Sequence, residues 1–121
     1  MATGRVVSVA AALALWSVAA GAWAHHSAAQ YDFGQTVKIQ GVVKELRIAN
    51  PHTALFLEVK DAKGARVIEY EGHSRNNVYR RGWRPDMVHQ GDTICIDIAP
   101  PREGGDGGYV KNFILKDGTE F

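Results

Sequence analysis

The chain has 121 residues, with 14 basic side chains, 13 acidic side chains, five histidines and a single cysteine. This length fits one hydrophobic core. The near-neutral charge offers no basic field to attract a nucleic acid, and a single cysteine excludes an internal disulfide bond.

Residues 1–24 have the three parts of a secretory signal peptide. They contain one basic residue, Arg5, then an apolar run over residues 6–18, then the small-residue cleavage site Ala22-Trp23-Ala24. The apolar run is shorter than the roughly 20 residues that a membrane-spanning helix requires. We therefore predict a periplasmic protein without a membrane span, whose single mature domain covers residues 25–121.

The first half of this domain is predicted to form three strands. Apolar and polar residues alternate from Val37 to Ile48, and Gly41 within this run indicates a β-bulge or a sharp bend. A second alternating run covers residues 53–59 and a third covers residues 66–71. Gly64 in the turn between them can supply the positive φ that a tight hairpin needs.

The second half begins with one short helix, which Ser74 can cap and Gly82 can end. Two further strands follow, over residues 93–98 and 109–115, and the turn Asp117-Gly118 leads out into a tail. We expect Cys95 in the fourth strand to be a small buried side chain. The glycine-rich segment between these two strands, residues 104–108, is expected to be a mobile loop.

This element order predicts an all-β fold, namely a small OB-like Greek-key barrel of five strands with one short helix between strands 3 and 4. A long, bent first strand can pair with both of its neighbours, which closes such a barrel. We expect antiparallel pairing throughout. A two-sheet sandwich of the same strands is the alternative.

Three short motifs carry a resemblance to a known family. They are His25-His26-Ser27, Asn50-Pro51-His52 and Arg80-Arg81-Gly82-Trp83. With these motifs the chain resembles a family of small exported bacterial proteins catalogued only as a domain of unknown function, over nearly all of residues 25–121. The resemblance implies export and a single β-rich domain, and it brings no known activity or site residue.

The predicted mature terminus, His25 followed by His26, indicates a metal site. The terminal amine and the imidazole of His25 can chelate copper(II), which favours nitrogen-rich, near-planar coordination. A further nitrogen would come from His26 or from His52, which lies in a loop that Pro51 restricts. We therefore predict a copper(II)-binding carrier. Its affinity for copper should decrease as the pH decreases, because protonated imidazole cannot ligate a metal. A frayed terminus with solvated histidines is the alternative interpretation.

A metal-free ligand-binding or protein-interaction module is the second functional hypothesis. Arg80, Arg81 and Trp83 form a basic and aromatic segment that would bind an anionic group, since arginine matches carboxylates and phosphates. The competing interpretation places Trp83 in the core and pairs the arginines with surface acids such as Glu69 and Glu71.

The sequence contains no pattern typical of a hydrolytic enzyme. Ser74 follows His73 directly, but no Gly-x-Ser-x-Gly turn surrounds it. Glu69 and Glu71 share one face of the third strand, and we interpret them as solvated surface acids rather than as an acid–base pair. We therefore expect a binding protein rather than an enzyme. Its partner would be a periplasmic protein or a small ligand, and not a nucleic acid.

Overall fold

The computed structural model describes residues 28–121, of which residues 31–121 form one compact unit. The predicted signal peptide and the residues His25 and His26 lie outside the described residues. The elements are β1 (Val37–Arg47), β2 (Thr53–Asp61), β3 (Gly64–Gly72), α1 (Arg75–Arg80), β4 (Thr93–Ala99) and β5 (Tyr109–Ile114).

The five strands close into a barrel in the order β1-β2-β3-β5-β4, with α1 between β3 and β4 in the chain. The predicted fold class is confirmed, and ring closure excludes the two-sheet sandwich. The first strand pairs with β4 through residues 37–42 and with β2 through residues 42–47, so that it belongs to both sides of the barrel.

One pairing departs from the expectation of antiparallel strands throughout. β3 and β5 run parallel, and their pairing consists of Glu71 with Tyr109 and Gly72 with Val110. All other neighbours are antiparallel. A ring with an odd number of strands cannot alternate in direction all the way round, so a five-stranded barrel must contain one parallel pair. We call this β3–β5 contact the seam.

The predicted bulge is displaced from Gly41. The register of β1 against β2 shifts between Val43 and Glu45. Gly41 has a different role, because a Cβ atom there would lie 2.5 Å from the Glu58 carbonyl oxygen and 2.7 Å from Leu57 Cγ. The two strands therefore approach so closely at Gly41 that only glycine fits.

The core fills the barrel with side chains from alternate positions of each strand. The alternation predicted for β2 is confirmed, since Leu55 and Leu57 are fully buried. In β4 the same alternation buries Ile94 and Ile96 and leaves Cys95 half-buried on the outer face. The expectation of a buried cysteine is therefore wrong, because its two neighbours occupy the inward positions.

The helix and the turn that follows it contribute side chains to the core. The Ser74 side chain accepts a hydrogen bond from the Asn77 backbone N–H at 3.4 Å, which confirms the predicted cap. Gly82 ends the helix with φ at +109°. Val78 and Trp83 belong to the core cluster, with exposed fractions of 2% and 7%.

The tail after β5 folds back on the barrel instead of leading away from it. The backbone N–H of Phe113 donates to the Phe121 carbonyl at 2.8 Å, and the N–H of Phe121 donates to the Phe113 carbonyl at 3.1 Å. The two rings stack with centroids 4.9 Å apart, and Phe121 is buried. Residues 119–121 thus cover the side of β5 that faces away from β4.

The glycine-rich loop is held in place, contrary to the expectation of a mobile loop. Arg66 of β3 donates to both carboxylate oxygens of Asp106 at 2.7 Å, and to Asp61 Oδ1 at 2.8 Å. A bidentate arginine–carboxylate pair has the planar geometry that gives surface ion pairs their best directionality. This pair fastens the loop to the β2–β3 hairpin.

This fastening should depend on pH. Hydrogen bonds from Arg66 hold the pKa of Asp61 and of Asp106 below the ordinary value. A carboxyl group whose pKa is lowered by folding stabilises the fold at pH values above its ordinary pKa, about 3.9. This contribution is lost as the pH falls through the lowered pKa of the folded state. Relative to β4 amides, we expect the amides of residues 104–108 to exchange with solvent faster at pH values well below about 3.9, where both carboxylates become protonated, than at pH 7. The Arg66→Gln variant should show fast exchange at both pH values; slow exchange in that variant would contradict the role of Arg66.

Candidate functional site

A cluster of ionisable and aromatic side chains lies on the outside of the barrel at the seam. It is built from the β1–β2 loop, the end of β3, the start of β5 and the segment before β1. His52 is the predicted site residue that the structure places there. It follows the cis peptide bond Asn50–Pro51 and directly precedes β2.

The His52 imidazole lies beside a carboxylate. Its Nδ1 atom is buried and lies 3.2 Å from Glu71 Oε1, a distance that allows an ion pair. The geometry of this contact does not meet the criteria for a hydrogen bond. The side chain as a whole is 35% exposed, so atoms other than Nδ1 carry this exposure. The interpretation of Glu71 as a solvated surface acid is therefore wrong.

Glu71 also connects His52 to a phenol. The hydroxyl of Tyr31 donates to Glu71 Oε2 at 3.1 Å. Burial, followed by the charges of Glu71 and Glu69, raises the pKa of Tyr31 to about 12. The phenol therefore stays protonated and remains a donor to the carboxylate across the physiological pH range.

His73 lies close by but has both ring nitrogens engaged. Its Nδ1 atom is 3.2 Å from the Tyr109 hydroxyl, and its ring also bonds to the Lys111 carbonyl. Burial, and then the charge of Arg81, lowers the pKa of His73. The ring is thus neutral at pH 7, with its donor and its acceptor both used within the protein.

Three aromatic rings complete the cluster. Phe33 and Tyr109 have centroids 5.1 Å apart with ring planes inclined at 62°. Tyr31 lies 5.8 Å from Tyr109 and 6.4 Å from Phe33, inclined at 55° and 87°. Such edge-to-face and tilted contacts are favourable for aromatic rings. Phe33 is 43% exposed, and the two tyrosines are half-buried. We call these three residues the ring cluster.

The segment that carries Tyr31 and Phe33 is fixed to the barrel at several points. The backbone N–H of Asp32 donates to the Pro100 carbonyl at 2.8 Å, and the Asp32 carboxylate accepts from the backbone of Gly34 and from the side chain of Gln35. The Lys111 ammonium donates to three oxygens of the same segment, at 2.6, 2.8 and 3.1 Å. The exposed Phe33 ring is therefore held in a defined position.

The residues of the second hypothesis do not meet in one binding site. Trp83 is buried in the core. Arg81 donates to the Lys111 carbonyl and to Asn112 Oδ1, both on β5. Arg80 is exposed on the last turn of α1. The arginine fork of Arg81 thus ties α1 to β5.

The third histidine of the described residues, His89, stands apart from the cluster. His89 is 65% exposed and its Nδ1 lies 3.6 Å from Asp92 in a turn before β4. Within residues 28–121, no three His, Cys, Asp or Glu side chains are grouped so that they could hold a metal ion. No helix in this part of the chain is long and apolar enough to span a membrane.

Comparison with known proteins places the chain in a family. A family model described as a family of unknown function, DUF6152, matches residues 12–111. The chain belongs to this family. No curated protein matches the chain. The family match includes His52, Glu71 and all three residues of the ring cluster.

Sequence reasoning missed four members of this site. Tyr31, Phe33 and Tyr109 carry no motif, and Glu71 was grouped with Glu69 because the two share one strand face. A usable signal was the hairpin turn at residues 61–64. It sets the β2–β3 register so that Thr53 pairs with Gly72, which brings His52 to the same end of the sheet as Glu71.

Proposed function

We propose that the protein is exported and that its mature form binds one copper(II) ion. The terminal amine and imidazole of His25 form the chelate, and His52 or His26 contributes a further nitrogen. The barrel serves as a rigid support, and the protein acts as a copper carrier.

The observation that supports this proposal best is the contact between His52 and Glu71. Metal-ligating histidines characteristically donate the N–H of one ring nitrogen to a carboxylate, a backbone carbonyl or water and bind the metal with the other nitrogen, and a carboxylate at ion-pair distance from Nδ1 is placed to take this role. The carboxylate of Glu71 lies 3.2 Å from the buried Nδ1, and the rest of the side chain is exposed enough to give 35% overall. His73 lacks this arrangement because both of its nitrogens have protein partners.

The chemistry of the donor set favours copper. An amine and imidazoles are nitrogen donors, and copper(II) binds nitrogen donors more strongly than the other common divalent metals of its row. A thiolate site is disfavoured, because Cys95 lies on β4, whose pairing with β1 separates it from the β1–β2 loop. The neutral imidazole is the binding form, so affinity should fall as pH decreases.

The proposal predicts stoichiometric copper binding by correctly processed protein. Periplasmic protein should have an intact mass that corresponds to residues 25–121. Copper titration followed by electron paramagnetic resonance should show one axial, nitrogen-rich copper(II). His52→Gln should weaken binding by more than about tenfold, since even the loss of an outer-shell partner costs about 10- to 100-fold.

His89→Gln is the matched control, because His89 is an exposed histidine outside the cluster. It should bind copper as the unaltered protein does. If the unaltered protein, His52→Gln and His89→Gln bound copper with equal affinity, the further nitrogen would be assigned to His26, and His52 would not be a ligand. Equal binding by processed protein and by protein with an extra residue ahead of His25 would refute the terminal chelate.

A further inference from the structure

The two oxygens of the Glu71 carboxylate face different partners. Oε1 lies 3.2 Å from the buried His52 Nδ1, and Oε2 accepts a hydrogen bond from the Tyr31 hydroxyl at 3.1 Å. Because a carboxylate is planar and its two oxygens rotate together, a hydrogen bond that holds Oε2 also fixes the direction of Oε1. The phenol of Tyr31 thus determines how the carboxylate meets the imidazole.

Tyr31 is fixed to the barrel independently of this hydrogen bond. Its backbone forms an isolated bridge with Pro101, and the N–H of the next residue, Asp32, donates to the Pro100 carbonyl at 2.8 Å. Its ring packs against the Tyr109 ring of β5 with centroids 5.8 Å apart. The hydroxyl therefore reaches the carboxylate from a fixed support and can orient it.

The backbone of Glu71 is held on both edges of β3. It pairs with Ala54 of β2 and with Tyr109 of β5, and its N–H donates to the Gly108 carbonyl at 3.0 Å. The freedom left to Glu71 is rotation about its side-chain bonds, and a glutamate loses considerable rotamer entropy when these are fixed. The Tyr31 hydroxyl acts on this remaining freedom.

The carboxylate of Glu71 influences which nitrogen of His52 carries the proton. A neutral imidazole has one N–H and one lone pair, on different nitrogens. An N–H at Nδ1 is attracted by the negative Oε1, whereas a lone pair at Nδ1 is repelled by it. The tautomer of a histidine follows from the contact that one of its nitrogens makes. Glu71 therefore favours the tautomer with Nδ1–H, which leaves the lone pair on Nε2.

We infer that Tyr31 is a positioning residue, which holds Glu71 so that His52 keeps its proton on Nδ1 and offers Nε2 to a metal ion. Since Nδ1 is buried, a metal ion that approaches from solvent must bind the other nitrogen. The role of this arrangement in metal binding rests on the proposed function, whereas the tautomer is a property of the metal-free protein.

The first measurement is the tautomer of His52 in metal-free processed protein. Long-range ¹H–¹⁵N NMR spectra at about pH 8, where an ordinary imidazole is neutral, distinguish a protonated ring nitrogen from one with a lone pair. The unaltered protein should have Nδ1–H. Tyr31→Phe keeps the ring and removes the hydroxyl, and it should shift His52 to a mixture of both tautomers. Nε2–H in the unaltered protein, or an unchanged tautomer in Tyr31→Phe, would overturn the inference.

Tyr109→Phe is the matched control for the loss of a hydroxyl. The Tyr109 hydroxyl belongs to the same cluster but lies 3.2 Å from His73 Nδ1. Its removal should leave the tautomer of His52 unchanged. A shift in Tyr109→Phe as large as that in Tyr31→Phe would show a general effect of the cluster and would contradict a specific role of Tyr31.

Glu71→Gln tests the carboxylate itself. The Tyr31 hydroxyl should donate to the amide oxygen, which turns the amide NH₂ group towards Nδ1. The amide then donates to Nδ1, so that the proton of His52 moves to Nε2. Glu69→Gln removes the same charge from the same face of β3 and should keep Nδ1–H. Retention of Nδ1–H in Glu71→Gln would contradict control of the tautomer by Glu71.

Copper affinity is the second readout. Tyr31→Phe and Glu71→Gln should each weaken copper(II) binding by about tenfold or more, the effect typical of an outer-shell residue, and Tyr109→Phe should not. If His52→Gln binds copper as the unaltered protein does, the proposed ligand is wrong, and the tautomer alone decides the role of Tyr31. If His52→Gln weakens binding while Tyr31→Phe changes neither the tautomer nor the affinity, the proposed function stands and Tyr31 is not a positioning residue.

Discussion

Replacement of Trp83 by alanine should lower the free energy of unfolding by about 3–5 kcal/mol, the range typical of a large aromatic residue removed from a core. Trp83 is 7% exposed and packs edge-on against Tyr79, with ring centroids 5.1 Å apart. It joins the end of α1 to the barrel core. Urea denaturation of the variant and of the unaltered protein would measure the difference.

Trp83→Phe provides the control for this prediction. The Nε1 atom of Trp83 is buried without a hydrogen-bond partner, so phenylalanine removes an unsatisfied donor while it keeps most of the ring. We expect Trp83→Phe to cost clearly less stability than Trp83→Ala. A cost below about 1 kcal/mol for Trp83→Ala would contradict the core assignment and would favour a ligand-binding role for this residue.

The second large effect is expected at Gly41. Alanine there would place its Cβ atom 2.5 Å from a backbone oxygen of β2, which cannot rotate away as a side chain can. We expect Gly41→Ala to destabilise the fold by about 3 kcal/mol, the upper part of the range for overpacked sites. Thermal unfolding followed by circular dichroism would show it as a lower midpoint.

Gln40→Ala serves as the comparison, because Gln40 is the exposed neighbour of Gly41 on β1 and already carries a Cβ atom. Its effect should lie within about 0.5 kcal/mol of zero. If Gly41→Ala proved equally mild, the close approach of β1 and β2 at this position would be wrong.

Much of the fold could be predicted because its signals are local. Alternation over residues 53–59 reports which face of β2 is buried, and Ser74 and Gly82 mark the ends of α1. The parallel seam could not be read from any segment, since it follows from closing an odd number of strands into a ring. The position of the bulge was missed for a related reason. Glycine is required at position 41 by the close approach of β2. The register shift beside Val43 is not marked by a glycine, so the sequence does not indicate it.

The same distinction between local signals and long-range contacts applies to the residues of the site. His52 was identified because a loop histidine after proline is conspicuous, and its approach to Glu71 follows from the hairpin register. The ring cluster was not predictable, because Phe33 and Tyr109 meet only after the whole barrel has formed between them. The hydrogen bonds that join Lys111 to the segment before β1 span more than 70 residues of chain.

The seam has a consequence for how the site is assembled. Glu71 and Tyr109 are directly paired there, and the seam consists of only two residue pairs. Segments with few hydrogen bonds open first in local unfolding. An opening at the seam would separate the carboxylate beside His52 from the rings beside Phe33 in a single step. The free energy that closes the barrel is therefore also the free energy that brings the two halves of the site together.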